Sequence, residues 1–346
     1  MESLALCSQY VIDGVPQELT PAEVLDAVCE NPSAARRGTG VIVDEAVDPV
    51  IRTYEFEPSR IDEYIRITAG EEPEQVPLPF AGTCSRLRMA RCLLDALWND
   101  GHFALTDLHP AAEWNWNCSP VGASAAFYES VRAVAEYADS LDLKLKNYSF
   151  SPSDKCEVYF SLPGATRKCP SLIVPDAQSW IVYVPFDTCD FRLGGSLLAR
   201  RLGLGGGVPS QTGDADYFID CYEVLRELVE DGIAISGGTV GEGGLAVALG
   251  KMCVEAGVTL DVSDVLKSYE ESNVVRVLFG EVPGVVIQIK DMDFDYLDAE
   301  LLLQDVAFFP LGHPEPGSSG VKVKTCGKSG IQTILESLMQ NAEGED

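Results

Sequence analysis

The stretch Gly238-Thr-Val-Gly-Glu-Gly-Gly-Leu-Ala-Val-Ala-Leu249 decides the reading of this chain. A β-like run, Ile233-Ala-Ile235, precedes it; glycines dominate from Gly237 to Gly244, and a helical apolar pattern continues from Leu245 to Ala256. A strand, a glycine-dense turn and a helix in succession present the first backbone N–H groups of the helix to whatever lies before them. Gly243 and Gly244 are thus candidates to meet an anion. The other reading is a turn kept for backbone geometry alone, because glycine reaches dihedral angles that other residues avoid.

Working outward, Tyr217–Asp231 reads as a helix stopped by Gly232. Val274–Phe279 and Val285–Ile289 read as strands joined by a hairpin-like Gly280–Gly284, and Tyr296–Gln304 as a further helix. Upstream, Leu193-Gly-Gly-Ser196 opens a helix, with Ser196 as its N-cap or as an anion contact. Gly203–Gly207 lacks the Gly-Lys-Ser/Thr end of a phosphate-binding loop and reads as a linker. Before residue 190, Thr20 caps a short helix over 21–29, Ser85–Asn99 and Ala125–Leu141 are helical, and 70–80 is a proline-rich acidic loop. Short β-like runs fall at Gly40–Val43, Phe103–Thr106, Leu143–Phe150, Val158–Leu162, Ser171–Val174 and Trp180–Pro185. The layout is α+β: an N-terminal segment 1–20, a lobe over 21–188, a second α/β lobe over 189–338 and a disordered acidic tail 339–346.

Composition narrows the function. The 346 residues carry 25 Lys and Arg against 54 Asp and Glu, a net charge of −29. Such a surface repels phosphate backbones, which excludes a nucleic-acid binder and leaves solubility or a basic partner as the meaning of the charge. The 11 cysteines include no C-x-x-C pair, so a zinc ribbon is excluded and free buried thiols in a reducing compartment are expected. With no secretory leader pattern and no apolar run of membrane-spanning length, the expected location is the cytoplasm or nucleus.

Several of these segments, in order, resemble the C-terminal synthase half of the large single-chain formylglycinamide ribonucleotide amidotransferases (FGAM synthases). Glu23–Arg37 is similar to the family helix leading into its H-P-T-V segment, and Leu87–Asn99 to the helix ending in E-A-L-T-N. Ala112–Trp116 resembles the A-N-W-M strand end, and Phe127–Leu141 the helix after it. Leu193–Ser196 matches L-G-G-S, Glu242-Gly-Gly-Leu245 is similar to D-G-G-L, and Leu278–Glu281 to L-F-G-E. The matches stay collinear from about residue 23 to 336. The resemblance implies the AIR-synthase-like fold, whose first lobe pairs into a barrel with an equivalent half. It also implies amidine formation: ATP phosphorylates an amide oxygen, and ammonia displaces the phosphate.

That chemistry needs Mg²⁺ held by oxygen ligands beside ATP or ADP. The family's Glu and Asn, four residues apart on a helix, fall on Asp95 and Asn99, which share one helix face; a polar face with Asn99 as a simple cap is the competing reading. In the family's H-D-x-S-D-G-G-L the His falls on Gly238, the first Asp on Thr239 and the second on Glu242, leaving Glu242 as a metal-ligand candidate. The family's G-K-D-S-L-S is here Lys146-Asn-Tyr-Ser-Phe-Ser151, so its Lys falls on Asn147 and its Asp on Tyr148. Asn147 remains a candidate nucleotide contact, while strand alternation turns Lys144 and Lys146 to the opposite face. No residue is assigned a catalytic role, and the family's glutaminase part has no counterpart. The expectation is a degenerate synthase half, a pseudoenzyme acting through assembly or regulation, as a homodimer or with a synthase-half partner. The alternative is a working ATP-dependent ligase subunit of purine biosynthesis, with Asp95, Asn99 and Glu242 holding Mg²⁺.

Overall fold

Local chemistry sets the first elements. Thr20 and Glu23 form a reciprocal capping box at the start of the Pro21–Asp26 helix: Thr20 Oγ1 accepts from the Glu23 N–H and the Glu23 carboxylate from the Thr20 N–H. The long Ala123–Ser140 helix is capped from a distance, because the Asp44 carboxylate accepts from the N–H groups of Gly122, Ser124 and Ala125 at 2.8–3.1 Å. A carboxylate at that end also complements the helix dipole. The computed structural model describes residues 2–32, 38–50, 54–70, 75–101, 104–164 and 166–324. The tail 339–346, the end of the second expected lobe from 325, and His102 lie outside the described residues.

Among the described residues the strands form four small sheets. One has the order Asn147–Pro152, Ala111–Trp116, Glu157–Ser161, the first pair parallel and the second antiparallel. Its inner face carries Trp114, Trp116 and Phe150 against Phe127 of the Ala123–Ser140 helix. Both indole N–H groups are satisfied there, Trp114 donating to Ser130 Oγ and Trp116 to the Ala123 carbonyl, each at 2.8 Å. Side chains this large and this buried contribute roughly 3 kcal/mol each. The outer face is polar: Glu113, Asn115, Asn147, Ser149, Ser151 and Ser161, with Tyr159 as its aromatic member.

A second, wholly antiparallel sheet runs Phe309–Gly312, Trp180–Pro185, Gly284–Ile289, Ala234–Val240. Its faces divide the interior by strand alternation. Val182, Val184, Val285 and Ile287 join the core built on the tryptophans, while Ile181, Tyr183, Val286 and Leu311 join another with the Gly244–Met252 helix. The second core also takes Phe56, Ile61 and Tyr64. Trp180–Pro185, which precedes the expected lobe boundary at 188/189, is therefore a central strand of a sheet made with later residues. Two three-stranded sheets complete the fold, one around Gln9–Ile12 and one around Ala256–Leu260.

Several local expectations change. Val274–Phe279 is a helix, not a strand: Asn273 Oδ1 caps it by accepting from the Val275 N–H, and a short apolar run has no period that separates the two. The Gly244–Met252 helix ends earlier than expected, and Ala256 opens a strand. Phe103 lies outside the described residues, and Leu105–Asp107 is a single 3₁₀ turn where a strand was expected. Ser171–Val174 forms no strand. The expected glycine turn begins later, because Ala234–Val240 runs as strand straight through Gly237 and Gly238. Those glycines serve close packing: a methyl on Gly237 would overlap the Trp98 ring, and one on Gly238 would press on the Met252 sulfur.

Candidate functional site

The Ala81–Asp95 helix, continued by a 3₁₀ turn to Trp98, turns Arg88, Arg91, Cys92, Asp95 and Asn99 to one side. That spacing follows the helical repeat. Facing them is the Glu157–Ser161 strand with Leu162, Pro163 and Gly164, and Glu242 joins from the start of the Gly244–Met252 helix. Between these walls lies a cleft of about 500 Å³. The structure thus brings Asp95, Asn99 and Glu242 to one cavity. Asn147 lies elsewhere, exposed on the outer sheet face, two strand spacings or roughly 10 Å across from Ser161. Its neighbour Tyr148 donates its hydroxyl to Asp26 at 2.7 Å, and Lys144 donates to the Ala27 carbonyl.

Glu242 is held by arginines. Its side chain is 5% exposed; Arg88 reaches Oε2 through Nε at 3.2 Å and Oε1 through Nη2 at 3.3 Å, and Arg200 reaches Oε1 at 2.7 Å. Arg88 also donates to the Val158 carbonyl of the opposite wall. Asp95 accepts from the Thr239 hydroxyl at 2.6 Å, and that hydroxyl accepts from Trp98 Nε1 at 2.8 Å. Arg91 lies 4.0 Å from Asp95. Asn99 ends the 3₁₀ turn with its own N–H on the Ala96 carbonyl and bridges to Arg167 in the opposing chain segment.

This arrangement does not fit the Mg²⁺ that the family chemistry implies. Mg²⁺ requires several free oxygen ligands in octahedral array. The buried Glu242 carboxylate already accepts from two guanidinium groups, whose charges would repel a dication entering beside them. Among the described residues, no group of three or more His, Cys, Asp or Glu is arranged to hold a metal. Burial, with Asp95 beside it, pushes the Cys92 thiol up to about 12, so the cleft offers no thiolate nucleophile.

The backbone donors expected to meet an anion are committed within the chain. The Glu281 carboxylate, through one oxygen, accepts from the N–H of Leu197 at 2.6 Å and of Gly243 at 2.7 Å. It therefore joins the starts of two helices, Leu197–Arg201 and Gly244–Met252. The Gly244 N–H goes to the Gly241 carbonyl, and Ser196 Oγ caps its own helix by accepting from the Ala199 N–H. Burial raises the Glu281 carboxyl to about 7, Glu242 adding to the rise and Arg200 and the two N–H donors opposing it. Reading the sequence alone missed Arg88, Arg200 and Glu281. Arg88 had a signal, since it stands seven residues before Asp95 and so on the same helix face. Glu281 ends the stretch that resembles L-F-G-E, but nothing in that motif gave its role; its positive φ of 52° marks it in the structure.

No family model matches the chain. It is 25% identical over 243 residues to human phosphoribosylformylglycinamidine synthase, covering 65% of this chain and 18% of the relative. The Drosophila melanogaster enzyme of the same name is 24% identical over 291 residues, covering 75% and 21%. The chain therefore spans about a fifth of the length of these curated relatives. Among solved structures, Thermotoga maritima PurL complexed with FGAR superposes with a TM-score of 0.54 at 12% identity, over 75% of this chain and 47% of that one. PurLQS from the same organism gives 0.53 at 13%, over 78% and 47%. The fold is AIR-synthase-like, of the kind these PurL structures share. Taken with the sequence matches, the chain is FGAM synthase-like over the part they cover.

Proposed function

We propose that this chain is a catalytically silent FGAM synthase-like protein of purine biosynthesis, working through assembly or regulation. The observation that carries the reading is Glu242: the carboxylate at the D-G-G-L position is buried and neutralised by Arg88 and Arg200. The Lys and Asp functions at Asn147 and Tyr148 are absent as well. Thermotoga maritima PurL is solved with FGAR, with AMPPCP and with ADP; the silent reading holds that this chain keeps a scaffold of that kind without binding such ligands. Assembly would use an edge of the Ala111–Trp116 sheet, pairing with a second copy or with a synthase half, since the unpaired backbone groups of an edge strand can take up another chain.

One observation favours a second reading, a working ATP-dependent ligase subunit: the cleft still has Asp95 and Asn99 in its wall. Calorimetry with Mg-ADP separates the two. The silent protein gives no binding heat at millimolar nucleotide. A Kd below about 100 μM, on the order of −5.5 kcal/mol, that is lost in Asn99→Ala would overturn it.

A further inference from the structure

The helix Phe294–Leu303, with the 3₁₀ turn Asp291–Asp293 before it, is apolar on two opposite sides. One side is anchored. Leu297 and Leu301 are fully buried, and Phe294 packs on Trp180 and Phe308 with ring centroids 5.2 and 6.2 Å apart. On the other side Met292, Tyr296, Ala299 and Leu303 follow the helical repeat, with Leu302 on the flank. Met292 is 82% exposed, Tyr296 44%, Leu302 73% and Leu303 77%. A second apolar side on a surface helix, rimmed by polar residues, marks an interaction surface.

The rim identifies the occupant. From Asp291 to Asp305 the chain carries six carboxylates (Asp291, Asp293, Asp295, Asp298, Glu300 and Asp305) and no Lys or Arg. The neighbouring helix Ala215–Glu230 and its end add Glu227 and Asp231; with Glu300 leading, these raise the Tyr296 phenol above its ordinary range. Symmetric pairing of this face with itself would oppose two such acidic rims. Nucleic acid and anionic lipid are repelled by the same charges. We infer that the Met292–Leu303 face docks a basic amphipathic helix of a partner protein, its apolar side on Met292, Tyr296, Leu302 and Leu303 and its Lys or Arg residues on the acidic rim. Such a helix-on-surface mode takes affinity from the apolar anchors and orientation and on-rate from the charges.

The test uses a labelled leucine–lysine peptide, Leu on one helical face and Lys on the other, titrated by fluorescence anisotropy into the full chain at physiological ionic strength. A scrambled peptide of the same composition serves as control. Wild type binds the amphipathic peptide, and Leu302→Asp/Leu303→Asp weakens it by about tenfold or more although the variant is two charges more acidic. Both leucines are exposed, so the variant keeps its fold, which circular dichroism verifies. Unchanged or tighter binding by the variant, or equal binding of the scrambled peptide, reduces the interaction to bulk charge and overturns the inference. Absence of binding overturns it too, as does light scattering in which wild type self-associates and the variant does not, which would assign the face to a second copy.

Discussion

Replacing Arg200 by Met removes one of the two guanidinium groups on Glu242 and nearly keeps the side-chain volume. The Arg200 side chain is 14% exposed and the Glu242 side chain 5%, so the pair lies where solvent screens little. Losing one partner of such a pair costs about 3–5 kcal/mol when it leaves a buried charge uncompensated. Here Arg88 still contacts both carboxylate oxygens, at 3.2 and 3.3 Å, and the lower end, about 3 kcal/mol, is expected. Urea denaturation followed by tryptophan fluorescence reads this as a lower midpoint with an unchanged slope. Glu242→Gln alone destabilises as well, because it leaves Arg88 and Arg200 facing each other without their anion. The double variant Arg200→Met/Glu242→Gln costs less than the sum, the mark of direct coupling. If Arg200→Met changes stability by less than about 0.5 kcal/mol, or if the two single effects add, the arginines do not neutralise Glu242 and the argument against a metal there fails.

Two further predictions concern the joint and the sheet. Burial raises the Glu281 carboxyl from its ordinary 4.5 to about 7, so its contribution is fully present below about 4.5 and is lost as pH rises through about 7, a change on the order of 3 kcal/mol. Glu281→Gln keeps a neutral acceptor for Leu197 and Gly243, and the advantage of wild type over this variant should shrink between pH 5 and 8; a pH-independent difference refutes the assignment. Gly237→Ala drives a methyl into the buried Trp98 ring and should cost about 1–3 kcal/mol, read as a lowered Tm; an unchanged Tm would mean that the strand and Trp98 do not pack as described.

Much of the scaffold was legible because its signals are local. Thr20 announces a capped helix, and the apolar positions of Ala123–Ser140 and Ala215–Glu230 repeat at the helical period. What could not be read depends on partners far along the chain. Glu242 meets Arg88 at a separation of 154 residues, and Asp44 reaches the Ala123–Ser140 helix from about 80 residues away. The same limit explains Gly237 and Gly238. Glycines before a helix suggest a turn, and only the position of Trp98 and Met252 shows that they exist to let a strand pass close to two large side chains.

The site residues divide along the same line. Leu193-Gly-Gly-Ser196 and Gly243-Gly244-Leu245 look like separate anion-handling motifs when read in order, and Leu278-Phe-Gly-Glu281 like a strand and turn. In space they form one joint, in which a single carboxylate ties two helix starts together and the glycine next to it admits the close approach of the Leu278–Phe279 backbone. The positions that differ from the family pattern, by contrast, are reused: Thr239 now relays a hydrogen bond from Trp98 to Asp95, Tyr148 binds Asp26, and Glu242 collects two arginines. A binding site that had only lost its ligand would leave unpaired polar groups, which are costly when buried. Here Thr239, Tyr148 and Glu242 each have a partner within the chain, while Arg200 Nε is buried without a hydrogen bond; the paired groups support the proposed silent reading.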